Sequence, residues 1–567
     1  MPLRLIPRTT SAHEPPMLIK DLLQQSGRYE TDREIVYRDL YRMSYKTFNN
    51  RVQQLANVLT GLGVEPGDTV AVMDWDSHRY LEAFFAVPCL GAVLHTINVR
   101  LSPFQILYTM NHAIDKVVLV HEDFLPLLAG IRDQLTTVET IIVITDKVYD
   151  PATRTIDISR YQAPPETAGE YETLLENASG TYAFPDFDEN ALATTFYTTG
   201  TTGHPKGVYF SHRQLVRHTL GLCTFVCGYQ AVPFLSPTDV YMPITPMFHV
   251  HAWGFPYLAT MLSARQVYPG RYEPELLLKL LLTERVTLSH CVPTILNMLV
   301  SSPAAAQFKE QLSRWKVIIG GSALTKGLAT AAMSLGIRVY QGYGMSETAP
   351  VMALTYLNDA ERALPAQEQI PLLTQAGRVA PFVELRLMDE LGNFMPHDGE
   401  AVGELVARGP WMTQGYWQEP ERGEELWRDG WLHTGDVASI SPENWVHIAD
   451  RTKDVIKTGG EWVSSLEIED LLSQLAGVAE VAVIGLPDEK WGERPHAIIV
   501  PKPDFADSLQ PETIKAALQA RVEAGELNKW YVPDQIIFVA EIPKTSVGKL
   551  DKKRMRTELR DQILGQA

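Results

Sequence analysis

The feature that most constrains the fold is an alternation of helical and strand-like segments along the first part of the chain. The helical segments carry apolar residues at a spacing near 3.6, and the strand-like segments are short apolar runs of the kind that a sheet covered on both faces buries. This alternation is typical of parallel strands joined by helices. The predicted strands are 68–75, 116–122 and 138–146, and the predicted helices are 43–64 and 78–91.

The pattern changes twice further along the chain. Residues 376–447 alternate apolar and polar residues between Asp and Gly turns, which favours antiparallel strands. After Asp450, a capping box of Ser464 and Glu467 begins an amphipathic helix, and strands and a second helix follow. The prediction is an α/β fold with a large N-terminal domain of βα-alternating sheets, a β-rich subdomain, and a small α+β C-terminal domain that begins near 450–454.

Charge and cysteine content narrow the classes of function. The chain has 50 basic and 68 acidic residues and a net charge of −18. This balance argues against a nucleic-acid-binding protein and against electrostatic docking on an anionic membrane. The four cysteines form no CxxC pair, so a disulfide scaffold is excluded and a reducing, cytoplasmic compartment is predicted. The first residues carry no apolar signal segment.

Two segments each have a second interpretation. Residues 240–264 carry no charge over a length sufficient for a membrane span, but Pro243, Pro246 and two histidines favour a buried core instead. We therefore expect no integral membrane segment. Residues 151–190 are acidic and rich in Pro, Gly and Ser, which predicts a surface connector.

The strongest chemical signal is the Gly- and Thr-rich segment Tyr197–Gly207, which follows a predicted strand. The backbone N–H groups and hydroxyls of such a segment wrap an anion, and Lys206 adds a point charge. The segment is not a Walker A loop, because Gly203 is followed by His-Pro-Lys and not by Lys and Ser or Thr. It therefore predicts a phosphate-binding loop of another kind.

This segment resembles the signature of the adenylate-forming enzymes, which include acyl-CoA synthetases, the adenylation domains of peptide synthetases, and luciferases. One departure is Thr199, where the family loop often has serine, and both residues offer a hydroxyl. Further segments that resemble the family occur in the expected order across nearly the whole chain, at Gly320–Ala323, Gln341–Thr348, Trp431–Asp436, Asp450–Trp462 and Pro543–Lys549.

The resemblance implies two half-reactions that need no protein nucleophile. A carboxylate attacks the α-phosphate of ATP and gives an acyl-adenylate and pyrophosphate, and the thiol of CoA then displaces AMP. Catalysis would rest on positioning and on charge stabilisation around phosphorus. Lys549, His249 and Lys206 are the implied catalytic residues, with Lys549 bridging the substrate carboxylate and the α-phosphate. Glu347 and Thr202 are the implied ligands of Mg²⁺.

The resemblance also implies the nucleotide site. Tyr343 would pack on adenine, and Asp436 would accept from the ribose hydroxyls with help from Arg451. A purely structural Asp–Arg pair is the alternative for the last two residues. The implied ATP- and AMP-binding residues are Thr198, Thr199, Gly200, Thr201, Thr202, Gly203, Lys206, Gly321, Ser322, Gln341, Gly342, Tyr343, Gly344, Met345, Ser346, Asp436 and Arg451.

A hinge and a CoA channel are implied near the domain boundary. Lys453 stands where the family has its hinge residue, although a surface lysine in a linker is the alternative. Gly459, Gly460 and Trp462 resemble the segment that lines the pantetheine channel, and Lys457 either serves the thiol-transfer pose or faces solvent. The implied division is an N-terminal adenylate-forming domain 1–450, a hinge 451–456 and a C-terminal lid domain 457–567 that pivots between two poses.

The acyl side is implied by the segment from Pro246 to Gly254. His249 would lie near the acyl carboxylate, Gly320 would line the acyl pocket, and Trp253 matches a gate to the fatty-acid tunnel of long-chain synthetases. A plain core tryptophan is the alternative. His249 and His251 as a metal pair is disfavoured, because no third ligand is indicated.

These segments look most like fatty acyl-CoA synthetases, so the prediction is an ATP- and Mg²⁺-dependent ligase that joins a medium- or long-chain fatty acid to CoA. A ligase for a short or sulfur-containing acid such as 3-(methylthio)propionate is the close alternative, and pocket volume decides between them. An enzyme that loads a carrier protein and an inactive adenylate-binding protein on the same fold are less favoured. The resemblance to long-chain synthetases is compatible with a homodimer.

Overall fold

Three sheets organise the part of the chain that the computed structural model describes. Two sheets and their helices form a large N-terminal unit, and the third lies in a small C-terminal unit. This mixed α/β architecture confirms the predicted fold class. The described residues are 3–26, 28, 31–147, 164, 166–198, 204–228, 234–458, 461–488, 490–506, 508–525, 527–546 and 548–564.

The first sheet is built from the alternating region of the sequence. Its pairs are parallel except at one edge, where Thr198 and Lys206 stand opposite each other in an antiparallel pair. The three strands predicted from the alternation are confirmed as neighbours near the centre of this sheet. In spatial order its strands, within the described residues, are Thr167–Glu170, Thr140–Ile144, Asp115–His121, Thr69–Met73, Val93–Thr96, Leu192–Thr198 and Lys206–Ser211.

The second sheet changes from parallel to antiparallel pairing at Arg338–Gly344, and again at one edge, between Glu34–Tyr37 and Tyr41–Ser44. Arg338–Gly344 pairs in parallel with Lys316–Ile319 on one side and antiparallel with Val351–Leu354 on the other. The antiparallel half is the β-rich region predicted at 376–447. In spatial order the described strands are Phe394–Met395, Glu384–Met388, Gly403–Arg408, Trp431–Ile440, Trp445–Arg451, Gly377–Val379, Val351–Leu354, Arg338–Gly344, Lys316–Ile319, Leu288–Cys291, Val240–Ile244, Arg265–Tyr268, Glu34–Tyr37 and Tyr41–Ser44, with Trp427–Arg428 beside Trp431–Ile440.

The third sheet has its own apolar core. Ile456, Ile468 and Ile499 are fully buried within that core, separate from the large domain. The last strand of the second sheet ends at Arg451, and the first strand of the third begins at Ile456. In spatial order the described strands are Glu461–Val463, Ile456–Thr458, Gly492–Pro501 and Val478–Asp488. Gln535–Phe538 also pairs with Gly492–Pro501, in parallel.

Helices cover the sheets, and several begin at the polar residues that the sequence offers as caps. The Ser464 hydroxyl accepts from the backbone N–H of Glu467 at 3.1 Å, which is the N-cap half of the predicted capping box. The described helices are Ile19–Ser26, Tyr45–Gly61, His78–Cys89, Pro103–Ala113, Leu125–Ile131, Tyr171–Glu176, His212–Cys227, Phe255–Met261, Pro274–Thr283, Pro293–Val300, Pro303–Gln307, Lys309–Leu312, Lys326–Ser334, Asp359–Arg362, Ala366–Leu373, Pro420–Leu426, Ser465–Ser473, Pro511–Glu523 and Lys552–Leu564.

The prediction of a surface connector over 151–190 is wrong for part of that segment. Thr167–Glu170 extends the first sheet, and the helix after it buries Tyr171 and Leu175 completely. The Tyr171 hydroxyl donates to the buried carboxylate of Glu82 at 2.6 Å. This strand and helix contain few apolar residues, because the hydrogen bond between Tyr171 and Glu82 supplies part of their attachment to the large domain.

The uncharged stretch 240–264 lies inside the large domain. It forms the strand Val240–Ile244, a tight turn, and the helix Phe255–Met261, and nearly all of its side chains are buried. No helix among the described residues is long and apolar enough to cross a membrane. The prediction of a buried core is confirmed here.

Candidate active site

A cavity of about 1750 Å³ lies where the large and small domains meet. Segments that are far apart in the sequence converge on it because the strand Arg338–Gly344 delivers its carboxyl end there, beside the loops that follow neighbouring strands. The predicted site residues that line the cavity are Thr198, Lys206, His249, Gly321, Ser322, Gln341, Gly342, Tyr343, Gly344, Met345, Ser346, Glu347, Asp436, Arg451, Lys453 and Lys549.

Gln341 joins two of the predicted motifs. Its side-chain oxygen accepts from the backbone N–H of Leu324 at 2.7 Å, and its side-chain nitrogen donates to the carbonyl of Ser322 at 3.3 Å. These bonds hold the turn after strand Lys316–Ile319 against the end of the neighbouring strand. Gly344 lies so close to the next strand that a Cβ there would fall 1.7 Å from the carbonyl oxygen of Pro350. The glycines of these motifs therefore allow the backbones to pack closely.

Asp436 lies at the centre of a polar group on the cavity wall. It is buried, accepts from the Tyr343 hydroxyl at 2.6 Å, and lies 3.4 Å from the guanidinium of Arg451. Asp436 and Arg451 face each other in paired antiparallel strands, which explains their contact. Burial raises the pKa of Asp436, and the charge of Arg451 opposes that rise. The arrangement leaves the guanidinium half exposed toward the cavity.

Glu347 and Lys206 are linked by a residue that the sequence motifs do not include. The hydroxyl of Tyr416 donates to Oε1 of Glu347 at 2.8 Å, and the ammonium of Lys206 lies 4.5 Å from the centre of the Tyr416 ring. Burial and the adjacent carboxylate raise the pKa of Tyr416, so the tyrosine stays neutral and donates. A carboxylate and an ammonium thus face the same end of the cavity.

Lys549 reaches the cavity from a tight turn of the small domain. Lys544 and Leu550 pair across this turn, and the backbone N–H of Thr545 donates to the Lys549 carbonyl at 2.7 Å. A Cβ at Gly321 would lie 3.0 Å from Cε of the lysine, so glycine makes room for its side chain. Burial, with the nearby charge of Arg451, lowers the pKa of Lys549 to about 8.

The hydroxyl of Thr294 donates to the carbonyl of Gly548 at 3.2 Å, which ties the Lys549 turn to the large domain. A second contact between the domains lies further along the cavity. The carboxylate of Asp470 accepts from the backbone N–H of Lys326 at 2.7 Å and pairs with the Lys326 ammonium at 2.8 Å. The small domain therefore lies closed over the site with Lys549 inserted.

The segment that carries His249 and Trp253 adopts an unusual backbone. Residues Val250 to Trp253 all have φ between 47° and 59°, a left-handed turn that costs about 1–2 kcal/mol per residue. Contacts hold it in place, including 2.7 Å between Nε2 of His251 and the Thr194 hydroxyl. Backbone strain of this kind clusters at functional sites. It turns His249 toward the large cavity and Trp253 toward a smaller one.

His249 is neutral in this environment. Burial, with the charges of Lys549 and Arg100 adding to it, lowers the pKa of His249 to about 3. His251 is fully enclosed and its pKa is also lowered to about 3, chiefly by burial. No group of three or more His, Cys, Asp or Glu side chains within the described ranges could hold a metal ion.

The smaller cavity has a volume of about 50 Å³ and an apolar lining. Trp253 lines this cavity and is itself buried. A Cβ at Gly320 would lie 2.8 Å from the indole, and the ring of His290 stacks on the indole with 4.8 Å between ring centres. The apolar lining residues are Leu222, Val250, Phe255, Ile318, Val351 and Leu354.

His290 fixes the position of that stack. Its Nε2 lies 2.7 Å from the Tyr241 hydroxyl and its Nδ1 lies 3.1 Å from the Thr245 hydroxyl. Burial lowers the pKa of His290 to about 3, so the ring is neutral. Because both ring nitrogens are engaged, the face on which Trp253 rests does not turn freely.

Some predicted residues are not brought to the cavity. Lys457 is exposed and is absent from both cavity linings, and its strand pairs with the one that contains Trp462. The side chain of Trp462 and all of Thr199–Gly203, Gly459 and Gly460 lie outside the described residues. Their assigned roles in ATP, Mg²⁺ and CoA binding stay predictions.

Sequence reasoning missed Tyr416, His290 and Asn98, which line or support the site. Tyr416 follows a Gly in an unremarkable loop, and His290 sits inside an apolar strand where a core histidine is the ordinary expectation. Their importance comes from contacts with distant residues. The signal for Asn98 is its place just beyond the end of the buried strand Val93–Thr96.

Known proteins resemble this chain over most of its length. The chain matches the family described as AMP-binding enzyme over residues 22–417, and the AMP-binding enzyme C-terminal domain over 467–549. It is 38% identical to a 3-methylmercaptopropionyl-CoA ligase of Ruegeria lacuscaerulensis, over 97% of this chain and 98% of that protein. It is 39% identical to a long-chain-fatty-acid–CoA ligase of Thermus thermophilus, over 96% of each chain.

Solved structures share the fold. The anthranilate CoA ligase AuaEII in complex with anthranoyl-AMP matches with a TM-score of 0.82 over 97% of this chain and 98% of that one. The two sequences are 24% identical, so this likeness concerns the fold alone.

Proposed function

The chain belongs to the family of AMP-binding enzymes, and from this premise we propose that the cavity between its domains joins a carboxylic acid to CoA through an acyl-adenylate. The chain is an AMP-forming acid–CoA ligase, with ATP and CoA as substrates. The observation that best supports the cavity as the site is the insertion of Lys549 opposite His249, with Glu347, Asp436 and Arg451 on the walls.

In the first half-reaction, an oxygen of the substrate carboxylate attacks the α-phosphorus of ATP, and the bond to pyrophosphate breaks. Both reactants are anions, so we propose that the ammonium of Lys549 lies between them and reduces their repulsion. His249, neutral with its pKa near 3, adds no charge and orients the carboxylate by a hydrogen bond. Lys206 faces the phosphate end of the cavity from beside Tyr416.

We propose that Asp436 accepts from the ribose hydroxyls and that Arg451 holds that carboxylate ionised. Burial alone would favour the protonated acid, and the adjacent guanidinium favours the charged form. The Tyr343 hydroxyl is bonded to the same carboxylate, so the ring face is fixed for stacking on the adenine.

Mg²⁺ fits the phosphate end of this site, and Glu347 would hold it together with the predicted ligand Thr202. The fit rests on a buried carboxylate whose Oε1 is bonded to Tyr416, an oxygen donor of the kind that Mg²⁺ takes alongside substrate phosphates. When bound, the ion neutralises charge on the phosphates.

In the second half-reaction, the CoA thiol gives up its proton, its sulfur attacks the acyl carbon, and the bond to AMP breaks. We propose that the small domain pivots about 451–456 to remove Lys549 and admit the thiol, with Lys453 as the hinge residue. Support comes from the turn between Arg451 and Val455, which lies between the last strand of one sheet and the first of the next.

We propose that the acyl chain enters the apolar cavity behind His249, as a fatty acid would. A second candidate, a short or sulfur-containing acid, is favoured by the volume of about 50 Å³ and by the pinned indole of Trp253. Both candidate substrates would contact the same residues, and they differ in whether Trp253 must move aside.

A panel of acids tests this proposal and separates the two candidates. Acetate, butyrate, 3-(methylthio)propionate, octanoate, palmitate and benzoate would each be assayed for AMP formation that needs both ATP and CoA. Preference for octanoate or palmitate supports a mobile Trp253, and preference for butyrate or 3-(methylthio)propionate supports a fixed one. If AMP forms from none of the acids, or forms without CoA, the proposed function is wrong.

A cytoplasmic location and a homodimer are further proposals. The first is supported by the four cysteines, all of which are free thiols. Light scattering on the purified protein would test the homodimer.

A further inference from the structure

The turn that carries Lys549 receives hydrogen bonds from a short segment of the large domain. Nδ2 of Asn98 donates to the Ser546 hydroxyl at 3.1 Å, and a guanidinium nitrogen of Arg100 donates to the Ser546 carbonyl at 3.2 Å. Ser546 is three residues from Lys549 and lies in the same turn. One serine of the small domain is therefore held through both its side chain and its backbone.

Asn98 is also held by contacts within the large domain. It is 8% exposed and follows the buried strand Val93–Thr96. Its side-chain oxygen accepts from the backbone N–H of Arg100 at 3.1 Å, which leaves the side-chain nitrogen aimed at Ser546. A donor fixed in this way loses little conformational entropy when the small domain docks.

The same segment also contacts the turn of the acyl site. The Thr96 hydroxyl donates to the carbonyl of Phe248 at 3.1 Å, next to His249. The guanidinium of Arg100 lies 5.8 Å from the ring centres of both Phe248 and Tyr272. Residues 96–100 thus lie between the groups proposed to hold the carboxylate and the turn that delivers Lys549.

We propose that Asn98 and Arg100 are positioning residues that hold Ser546, and through it Lys549, in the pose for adenylate formation. This inference rests on the proposed function. When the small domain pivots, the contacts with Ser546 break, so they stabilise one of the two poses. Their loss slows the half-reaction that needs Lys549 in place and leaves the thiol transfer unchanged.

The test compares the two half-reactions in Asn98→Ala, Ser546→Ala and the double variant. Pyrophosphate–ATP exchange with the best acid of the panel measures adenylate formation, and CoA-dependent turnover of the supplied acyl-adenylate measures thiol transfer. We expect exchange to fall about threefold to tenfold in kcat, the range of one lost hydrogen bond, with little change in the KM of ATP or acid. Thiol transfer at the wild-type rate also shows that the variant is folded.

The double variant shows whether Asn98 acts through Ser546. Because the two side chains contact each other, we expect the double variant to fall no further than Asn98→Ala. Arg100→Ala should behave like Asn98→Ala. Arg271→Ala is the matched control, because Arg271 is also an exposed arginine over an aromatic ring, that of Trp75, and it should leave both half-reactions unchanged.

Three results would overturn the inference. These are an equal loss in both half-reactions, an additive double variant, and an unchanged exchange rate in Asn98→Ala. Failure of the proposed function is a separate result, because it would appear as absence of acid-dependent exchange in the wild-type enzyme.

Discussion

At the scale of single residues, the charge of Lys549 is the most finely balanced feature of the site. Burial and Arg451 lower its pKa to about 8, while Asp436 and Glu347 act in the opposite direction. The amine is therefore charged below about pH 8 and loses its proton above it. The role that we propose for it, between two anions, needs the charged form.

We predict that kcat/KM for pyrophosphate–ATP exchange falls as the pH rises through about 8, because this parameter reports the free enzyme. His249, with its pKa near 3, contributes no transition above about pH 5. Lys549→Arg is the control, since a guanidinium keeps its charge and its residual activity should not fall near pH 8. A wild-type profile that stays flat to pH 10 contradicts this assignment.

We propose that Trp253 limits how much of the acyl chain the enzyme accepts. Removing the indole in Trp253→Ala joins the cavity of about 50 Å³ to the space now filled by the ring. We expect kcat/KM to shift toward longer acids by at least about tenfold, with a smaller change in the KM of ATP. Trp253→Phe should shift it less. A change confined to ATP would make Trp253 a packing residue only.

Several of the polar residues that line the cavity could be predicted from the sequence, whereas their hydrogen-bond partners could not. Lys549, Asp436, Arg451 and Glu347 stand in recognisable segments, and all four line the cavity. Tyr416 belongs to the same cluster only because the chain returns there after 69 residues. Side-chain contacts of that range depend on the packed fold and leave no local pattern.

At the scale of elements, the helix Lys326–Ser334 is shaped to receive the small domain. A Cβ at Gly327 would lie 2.4 Å from the carbonyl oxygen of Ser473, a backbone atom in the helix that docks on it. Alanine favours a helix over glycine by about 1 kcal/mol, so the large domain should fold as well as before. Glycine at this position therefore serves the docked pose.

We predict that Gly327→Ala lowers pyrophosphate–ATP exchange at least about tenfold, because the added methyl group keeps the small domain from closing with Lys549 inserted. Thiol transfer from supplied acyl-adenylate should be retained. Thr330→Ala is the control in the same helix, since its hydroxyl bonds only to the helix carbonyl of Lys326. Normal exchange in Gly327→Ala would mean that adenylate forms in a different pose.

Lys453 lies within the turn in which the backbone N–H groups of Asp454 and Val455 both donate to the Arg451 carbonyl. Proline at 453 fixes one φ angle and restricts the residue before it. We predict that Lys453→Pro releases pyrophosphate at near the wild-type rate and forms acyl-CoA at least about tenfold more slowly. Lys453→Ala, which leaves the backbone free, should keep both steps. Wild-type turnover in the proline variant would contradict the proposal that Lys453 is the hinge residue.

Helices and strands could be predicted from the spacing of apolar residues where those residues are buried, as in the strands Thr69–Met73 and Asp115–His121. It failed at 167–176, where a polar contact with Glu82 replaces part of the apolar signal. The left-handed turn from Val250 to Trp253 could not be predicted either, because each residue there prefers another conformation and only the surrounding contacts hold it.

At the scale of the whole molecule, the net charge of −18 does not describe the site. Every proposed substrate is an anion, and cations from both domains line the cavity between them, including Lys206, Arg451, Lys453 and Lys549. Lys549 comes from the small domain, which is docked on the large domain in this structure. In the domain movement that we propose, the charge at the site changes with the pose of the small domain.

One variant tests whether a single site makes the acyl-adenylate with Lys549 in place and uses it after Lys549 leaves. Lys549→Ala would be assayed for pyrophosphate–ATP exchange and for CoA-dependent turnover of supplied acyl-adenylate. We predict that exchange falls at least about a hundredfold, as expected for loss of a charge that stabilises the transition state, while turnover of the adenylate stays within about threefold of wild type. Equal losses in both steps would contradict the account.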